Sequence, residues 1–170
     1  MLDGLRGDFM NVVLIAQDNR KELMAEFCIA YQNILKSCDL YATATTGTYI
    51  SEFTELTIHK FSPGSLGGEQ QVRSRIDLNE IDLLLYFRDP LNKKPDYDEY
   101  KLFRRCDTNN IPFATNLATA ELLIKGLERG DLDWRELVRP AKAEEPAVPL
   151  KKVRTRRSRT VLEKRQKANE

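Results

Sequence analysis

Five short apolar runs alternate with helical patterns along the first 140 residues of the chain. The two most apolar runs, residues 11–16 and 81–87, are continuous, which is typical of parallel strands covered on both faces. Three shorter runs lie at 40–42, 57–61 and 111–115, and the mixed polarity of 57–61 indicates a strand near an edge. This alternation predicts an α/β fold, a Rossmann-like three-layer sandwich with a five-stranded parallel sheet and right-handed crossovers.

The segments between these runs carry apolar residues spaced by threes and fours, as in helices that cover a sheet. Asp18 or Asn19 stands where it can cap the first helix, and Trp134 and Leu137 are expected to pack inward from the last one. The predicted helices span residues 20–36, a segment ending near 53, a segment ending at 76, then 99–108, 119–127 and 133–138.

Polar loops follow every predicted strand, at residues 17–21, 43–47, 62–71, 88–99 and 115–119. In parallel sheets, ligands bind beyond the carboxyl ends of the strands, near the reversal of strand order. The loop at 62–71 has glycines at 64, 67 and 68, which let the backbone approach a ligand closely. A helix follows them, and its N-terminus can receive an anion. The sequence therefore predicts one ligand site that these five loops build together.

The last 30 residues differ in charge from the rest of the chain. Residues 141–170 carry ten Lys or Arg against four Glu, whereas residues 1–140 carry 17 basic and 22 acidic residues. We interpret 1–10 as an irregular lead-in, 11–140 as the folded domain, and 141–170 as a Pro/Ala/Glu linker with a basic tail that is disordered or folds on a partner. The tail is either a solvated extension or a contact for nucleic acid or another polyanion.

Composition argues against several classes of protein. No apolar run approaches the roughly 18–20 residues of a membrane helix, and the first ten residues do not resemble a secretory signal. Cys28, Cys38 and Cys106 form no paired motif, and His59 is the single histidine, so a zinc site is not expected. We expect a cytoplasmic protein without membrane contact.

Several motifs, in order and with fitting gaps, resemble the methylglyoxal synthase family. They include Gly-Gly-Glu-Gln-Gln at 67–71 and Asp-Pro-Leu at 89–91, together with residues 15–18, Lys21, 40–47 and 114–120. The resemblance covers about residues 11–139. It implies the same α/β fold and a carbon–oxygen lyase that converts dihydroxyacetone phosphate to methylglyoxal and phosphate. It further implies a homo-oligomer, usually a hexamer, that works without metal or cofactor on a small phosphorylated metabolite.

The resemblance also assigns roles to individual residues. A lysine, hydroxyls and backbone N–H groups of the family hold the phosphate. The matching positions here are Lys21, Thr43, Thr45, Thr46 and Gly64. Asp18 and Asp89 match two acidic active-site positions, and Gly67 and Gly68 match the turn that presents the catalytic base. Pro63 removes one phosphate contact of the family, and Ser65 offers a donor in return.

Other positions depart from the family pattern where the chemistry occurs. The family's aspartate base is Glu69 here, one methylene longer, and the histidine that moves protons on the substrate oxygens is Asp96. The later aspartate is Glu99, and Gln17 and Ala44 replace a histidine and a glycine. Neighbouring negative charges favour the protonated form of a carboxyl, and in that form Asp96 could act as an acid.

Three functions remain open on the sequence. The first is the lyase, with Glu69 as base and Asp96, Asp18, Asp89 and Glu99 around it. The second is a catalytically inactive module of the same fold that binds or senses a phosphorylated ligand, and the absent histidine favours it. The third is a scaffold whose basic tail contacts nucleic acid. Taken singly, Asp18 is as well explained by a helix cap, and the threonines by a turn.

Overall fold

The computed structural model of the chain describes residues 9–94 and 96–140. Within them, five parallel strands form one sheet in the order β3-β2-β1-β4-β5, which confirms the predicted sheet and the edge position of its third strand. The lead-in as far as residue 8 and the predicted linker and tail at 141–170 lie outside the described residues. The strands are β1 Asn11–Ala16, β2 Asp39–Ala42, β3 Ile58–Lys60, β4 Leu83–Phe87 and β5 Phe113–Ala114.

The central strand β1 fixes the arrangement of the sheet. On one side it pairs with β2, from Asn11 opposite Asp39. On the other side it pairs with β4 over five positions, and the last pair joins Ala16 to Phe87. The chain therefore runs outward through β2 and β3, returns past β1, and continues through β4 and β5. The strand order reverses between β1 and β4, whose carboxyl ends are level.

Helices cover both faces of the sheet, as predicted. One face packs against α1 Lys21–Ala30, α3 Ala44–Phe53 and α6 Leu117–Arg129. The other face packs against α4 Gly68–Asp77 and α5 Tyr97–Thr108. Because both faces are covered, all five residues of β4 are buried, in keeping with their continuous apolar sequence.

The first predicted helix is not continuous. A 3-10 turn at Asp18–Arg20 precedes α1, and α1 ends at Ala30, before the short helix α2 Gln32–Leu35. Tyr31, between the two, has non-helical dihedral angles of φ −110° and ψ 21°. The predicted cap by Asp18 or Asn19 is wrong, since no side chain caps either start. The Asp18 carboxylate accepts a hydrogen bond from Lys21 instead.

The prediction for the last helical turn is also wrong. Asp133–Leu137 forms a 3-10 turn, but Trp134 and Leu137 are exposed, at 49% and 88% of their surface. The residue that packs inward is Arg135, which is fully buried. A charged group buried to this extent requires partners of opposite charge and hydrogen-bond acceptors.

Arg135 finds those partners in a buried ionic cluster with Asp82 and Arg139. Asp82 Oδ1 accepts hydrogen bonds from Nε of Arg135 at 3.3 Å and from Nε of Arg139 at 3.1 Å. Its Oδ2 lies 2.8 Å from the backbone N of Asn11 and 2.8 Å from Nη2 of Arg139. Arg135 also donates to Asn79 Oδ1 at 2.7 Å. The cluster thereby ties the end of the described chain to the starts of β1 and β4.

Removing Arg135 should destabilise the fold strongly. In Arg135→Ala the carboxylate of Asp82 loses a buried partner, and such losses cost about 3–5 kcal/mol. Urea unfolding of both proteins at neutral pH measures the difference. Arg129→Ala is the matched control, because Arg129 pairs with Asp131 at the surface and exposed pairs contribute little. Equal effects of the two substitutions would contradict a stabilising role for the cluster.

Candidate active site

A cavity of about 710 Å³ lies at the carboxyl ends of β1 and β4, where the strand order reverses. The loops after β1, β2, β3 and β4 line it, as predicted. The loop after β5 does not, which corrects the expectation of five converging loops. Residues 115–117 of that loop line a separate cavity with Arg20 and Arg88.

Most of the residues singled out from the sequence line this cavity. Four of them do not line it, namely Thr46, Gly67, Gly68 and Glu99. Those that do are Asp18, Lys21, Thr43, Thr45, Gly64, Ser65, Glu69, Asp89 and Asp96. Sequence reasoning did not propose several further lining residues as site residues, namely Ile15, Asn19, Tyr86, Asn92 and Asp98.

Glu69 lies in the first turn of α4, and its carboxylate is half-buried in the cavity. The hydroxyl of Tyr86 donates a hydrogen bond to Glu69 Oε1 at 3.1 Å. Burial raises the pKa of Glu69, the Tyr86 hydrogen bond lowers it, and nearby carboxylates raise it further. A carboxylate with a raised pKa is a stronger base than an ordinary one. The one sequence signal for Tyr86 is that it carries the single hydroxyl within the apolar run 81–87, and this signal alone does not distinguish a site residue from a core residue.

The two adjacent glycines shape the loop and do not face the cavity. Gly67 has a φ of +95°, in the left-handed region that favours glycine. A Cβ on Gly68 would lie 2.0 Å from the carbonyl oxygen of Ser62. Their N–H groups bond to the carbonyls of Gly64 and Pro63. Both glycines therefore allow the tight turn that places Glu69 at the wall of the cavity.

Lys21 supplies the positive charge among the residues that line the cavity. Its Nζ donates to Asp18 Oδ1 at 2.6 Å and to the carbonyl of Ala16 at 3.2 Å. The ammonium group beside it holds the pKa of Asp18 below its usual range. Only 13% of the Lys21 side chain is exposed, whereas the Asp18 side chain is fully exposed. The lysine is thus held in one direction by the end of β1.

The threonine-rich segment forms the start of α3. Thr43 and Thr45 line the cavity. The first N–H groups of this ten-residue helix have no partner within the helix, and that of Ala44 bonds to the carbonyl of Ser62 at 3.4 Å. Thr46 is buried, and its Oγ1 accepts hydrogen bonds from the backbone N of Ala16 at 3.2 Å and from Thr43 at 3.2 Å. Ala44 is the first residue of α3 and has no positive φ, so this position does not require glycine.

Asp96, which the motif resemblance matches to a histidine, caps a helix. It precedes α5, and its Oδ1 accepts hydrogen bonds from the backbone N of Asp98 at 2.9 Å and of Glu99 at 3.1 Å. Glu99 is buried beside Arg88, whose Nε lies 2.7 Å from its Oε1. Burial raises the pKa of Glu99, and Arg88 opposes that shift. Asp98 is paired with Arg73 at 3.1 Å, which lowers its pKa.

Gln17 connects the loops after β1 and β4. Its Oε1 accepts a hydrogen bond from the backbone N of Asp89 at 2.6 Å. The backbone N–H of Leu91 and then the side chain of Asn19 hold the pKa of Asp89 below its usual range, with a smaller contribution from Arg20. His59 is exposed on the edge strand β3, outside the cavity.

Residues 9–94 and 96–140 hold no cluster of three or more His, Cys, Asp or Glu side chains arranged to bind a metal ion. In the same ranges, no helix has the length and apolar character needed to cross a bilayer.

Comparison with known proteins identifies the family. The model of the MGS-like domain matches residues 23–115. A methylglyoxal synthase from Caldicellulosiruptor saccharolyticus is 57% identical over 132 residues, which are 77% of this chain and 94% of that protein. One from Listeria welshimeri is 52% identical over 131 residues, which are 76% of this chain and 98% of that protein. The chain belongs to the methylglyoxal synthase family.

The fold agrees with a solved member of the methylglyoxal synthase family. The crystal structure of methylglyoxal synthase from Elizabethkingia anophelis NUHP1 superposes with a TM-score of 0.64 at 30% identity, covering 68% of this chain and 77% of that one. The family resemblance stated from the motifs is therefore confirmed, as is the α/β fold.

The half-buried Glu69 should lower the stability of this methylglyoxal synthase family member at neutral pH. Its pKa is raised above the ordinary value of 4.5, so the folded state binds this proton more tightly than the unfolded state does. The free energy of unfolding then falls as the pH rises from about 4.5 through the raised pKa. We expect Glu69→Gln to be more stable than the wild type at pH 7, and the difference to shrink at pH 4.

Urea unfolding at both pH values checks this prediction. Glu26→Gln on the exposed face of α1 is the matched control, because Glu26 is exposed. A stabilisation by Glu69→Gln that is equal at pH 7 and pH 4 would contradict the stated cause.

Proposed function

We propose that this protein is a lyase that eliminates phosphate from dihydroxyacetone phosphate and forms methylglyoxal, with Glu69 as the base. The observation that carries the proposal is a single cavity that combines the half-buried Glu69 with Lys21, Thr43, Thr45 and Gly64. Membership of the methylglyoxal synthase family supports the same reaction.

Lys21 and the start of α3 bind the phosphate of the substrate. A lysine and hydroxyl groups are common partners of phosphate, and a helix N-terminus favours an anion. Gly64 and Ser65 line the cavity beside Thr45 and add backbone and hydroxyl donors. Thr46 acts indirectly, because its hydroxyl fixes Ala16 and Thr43. Gly67 and Gly68 contribute the turn that carries Glu69.

The chemical step begins at the carbon next to the substrate carbonyl. Glu69 takes a proton from that carbon, and the C–H electrons form an enediolate. The bond from carbon to the phosphate oxygen then breaks, and inorganic phosphate leaves with its electron pair. The remaining enol releases its hydroxyl proton, takes up a proton on its terminal carbon and becomes methylglyoxal. Asp96 moves protons on the substrate oxygens, and Asp18, Asp89 and Glu99 complete the acidic surroundings.

A second candidate is a module of this fold that binds a phosphorylated ligand without converting it. Two observations favour it. Oδ1 of Asp96 accepts the hydrogen bonds of a helix cap, and an oxygen engaged in this way is not free to transfer protons. Among the residues that line the cavity, the ionisable side chains apart from Tyr86 are five carboxylates and Lys21, and this excess of negative charge opposes the binding of an anionic transition state.

The proposed base is tested by Glu69→Gln. Glutamine keeps the shape and an acceptor for Tyr86 but cannot take a proton, so turnover of dihydroxyacetone phosphate should fall by about 10²-fold or more. Methylglyoxal formation by purified protein, followed with time, measures it. Glu26→Gln should keep full activity. Wild-type activity retained in Glu69→Gln would sink the assignment of the base.

The same experiment separates the two candidates. If the wild type shows no turnover above a heat-killed control, the lyase proposal fails. Thermal unfolding with inorganic phosphate and with dihydroxyacetone phosphate then tests the binding module, because a ligand that binds the folded state raises the unfolding temperature.

The role of Asp96 is tested by Asp96→Ser. Serine is also a good N-cap, so α5 should remain capped and the thermal unfolding temperature should stay close to that of the wild type. The carboxyl is lost, and we expect kcat to fall by about 10-fold or more. Unchanged kcat in Asp96→Ser would show that Asp96 serves α5 alone.

Three expectations from the sequence stay predictions. They are the cytoplasmic location, the homo-oligomer, and a contact of the basic residues 141–170 with nucleic acid or another polyanion. Size measurement in solution and salt-dependent binding of a polyanion would test the last two.

A further inference from the structure

Tyr86 lines the cavity and contacts the proposed base, Glu69. It is the fourth residue of β4, and only 1% of its surface is exposed. Its ring packs edge to face against Phe103 of α5, with ring centroids 5.2 Å apart, and Phe103 stacks on Phe113 of β5 at 4.9 Å. A tyrosine enclosed in this way has a fixed ring direction, and its hydroxyl needs a partner. That partner is Glu69.

The contact involves one of the two carboxylate oxygens. Tyr86 donates to Oε1 of Glu69 at 3.1 Å. We propose that Tyr86 is the positioning residue of the catalytic base, holding Oε1 so that Oε2 faces the bound substrate. The inference rests on the proposed function of Glu69. Tyr86 lies in an apolar strand, and no motif of the sequence indicates that it takes part in the reaction.

A glutamate base needs such an anchor more than an aspartate would. Glutamate has one more rotatable bond, so its carboxylate samples more positions. A misplacement of the base by about 1 Å can cost on the order of 10²-fold in rate. The backbone end of Glu69 is fixed by the turn at Gly67 and Gly68, and Tyr86 fixes the other end of the side chain.

The same hydrogen bond favours the ionised form of Glu69, which the reaction requires. Burial raises the pKa of Glu69, and Asp96, Asp98 and Glu99 from the α5 side raise it further, whereas Tyr86 lowers it. Asp98 and Glu99 are themselves paired with Arg73 and Arg88. The remaining charged groups of the cavity, from the loops after β1 and β4, are Asp18, Lys21 and Asp89.

Tyr86 keeps its own proton under these conditions. Burial and the neighbouring carboxylates, Glu69 first among them, raise the pKa of its hydroxyl far above the ordinary value. It therefore acts as a permanent neutral donor to Glu69.

The first test is Tyr86→Phe in the full-length protein, with kcat and kcat/KM for dihydroxyacetone phosphate measured across pH. We expect kcat to fall roughly 10- to 100-fold and the acidic limb of the profile to move to higher pH, because Glu69 loses the hydrogen bond that favours its ionised form. Tyr41→Phe is the matched control, since Tyr41 is a half-buried tyrosine of β2 that stacks on Phe61 outside the cavity.

A double-mutant cycle with Glu69→Asp distinguishes positioning from a purely structural role. The shorter aspartate does not extend to the position that Oε1 occupies, so Tyr86→Phe should cost much less in that background than in the wild type. An equal loss in both backgrounds, with an unmoved pH profile, would overturn the inference.

The pKa of Glu69 can be measured without turnover, so the role of Tyr86 can be tested independently of the proposed reaction. Titration of the ¹³C-labelled carboxyl of Glu69 by NMR, identified by its absence in Glu69→Gln, should give a higher pKa in Tyr86→Phe than in the wild type and in Tyr41→Phe. If the wild type produces no methylglyoxal, the proposed function fails, and with it the catalytic role of this contact. If turnover is present but the pKa of Glu69 does not move in Tyr86→Phe, only the role of Tyr86 is refuted.

Discussion

The level pairing of β1 with β4 is the constraint on which the site depends. Five consecutive pairs join the two strands and end with Ala16 opposite Phe87. Because the chain leaves these strands in opposite directions across the sheet, no crossover helix closes the gap above their ends. Lys21 follows one strand end and Tyr86 belongs to the other. A slip of one residue in this pairing would turn Tyr86 away from Glu69 toward the opposite face of the sheet.

Much of the architecture could be predicted from the sequence, because its signals are local. The continuous apolar runs at 11–16 and 81–87 required cover on both faces, and the mixed run at 57–61 was correctly placed at an edge. The errors came from contacts that no local pattern encodes. Trp134 and Leu137 suggested an inward apolar face, but the distant Asp82 draws Arg135 inside instead. The attraction of a buried carboxylate outweighs amphipathic spacing there.

The residues of the site likewise divide into those that local motifs indicate and those whose positions depend on distant contacts. Motif order placed Glu69, Lys21, Thr43 and Asp89 around one cavity, and the structure brings them together there. The motifs could not show that Thr46 points into the protein. Nor could they show that the N–H groups of Gly67 and Gly68 form hydrogen bonds within their own loop. Nor could they show Tyr86, because a tyrosine in an apolar strand is most simply explained as core. Its direction depends on the packing of Phe103 from a helix that follows in sequence.

The buried cluster at Asp82 also defines where the folded unit ends. Asp82 holds the backbone N of Asn11, at the foot of β1, and receives Arg135 and Arg139 from beyond α6. The segment after α6 is thus bound across the amino ends of β1 and β4. A fragment limited to residues 23–115, the span that the family model matches, would lack β1 and both arginines. It would leave the carboxylate of Asp82 buried without its counter-charges. A fragment that keeps all of these contacts therefore has to extend from Phe9, whose carbonyl accepts a hydrogen bond from Arg139, to Arg139 itself.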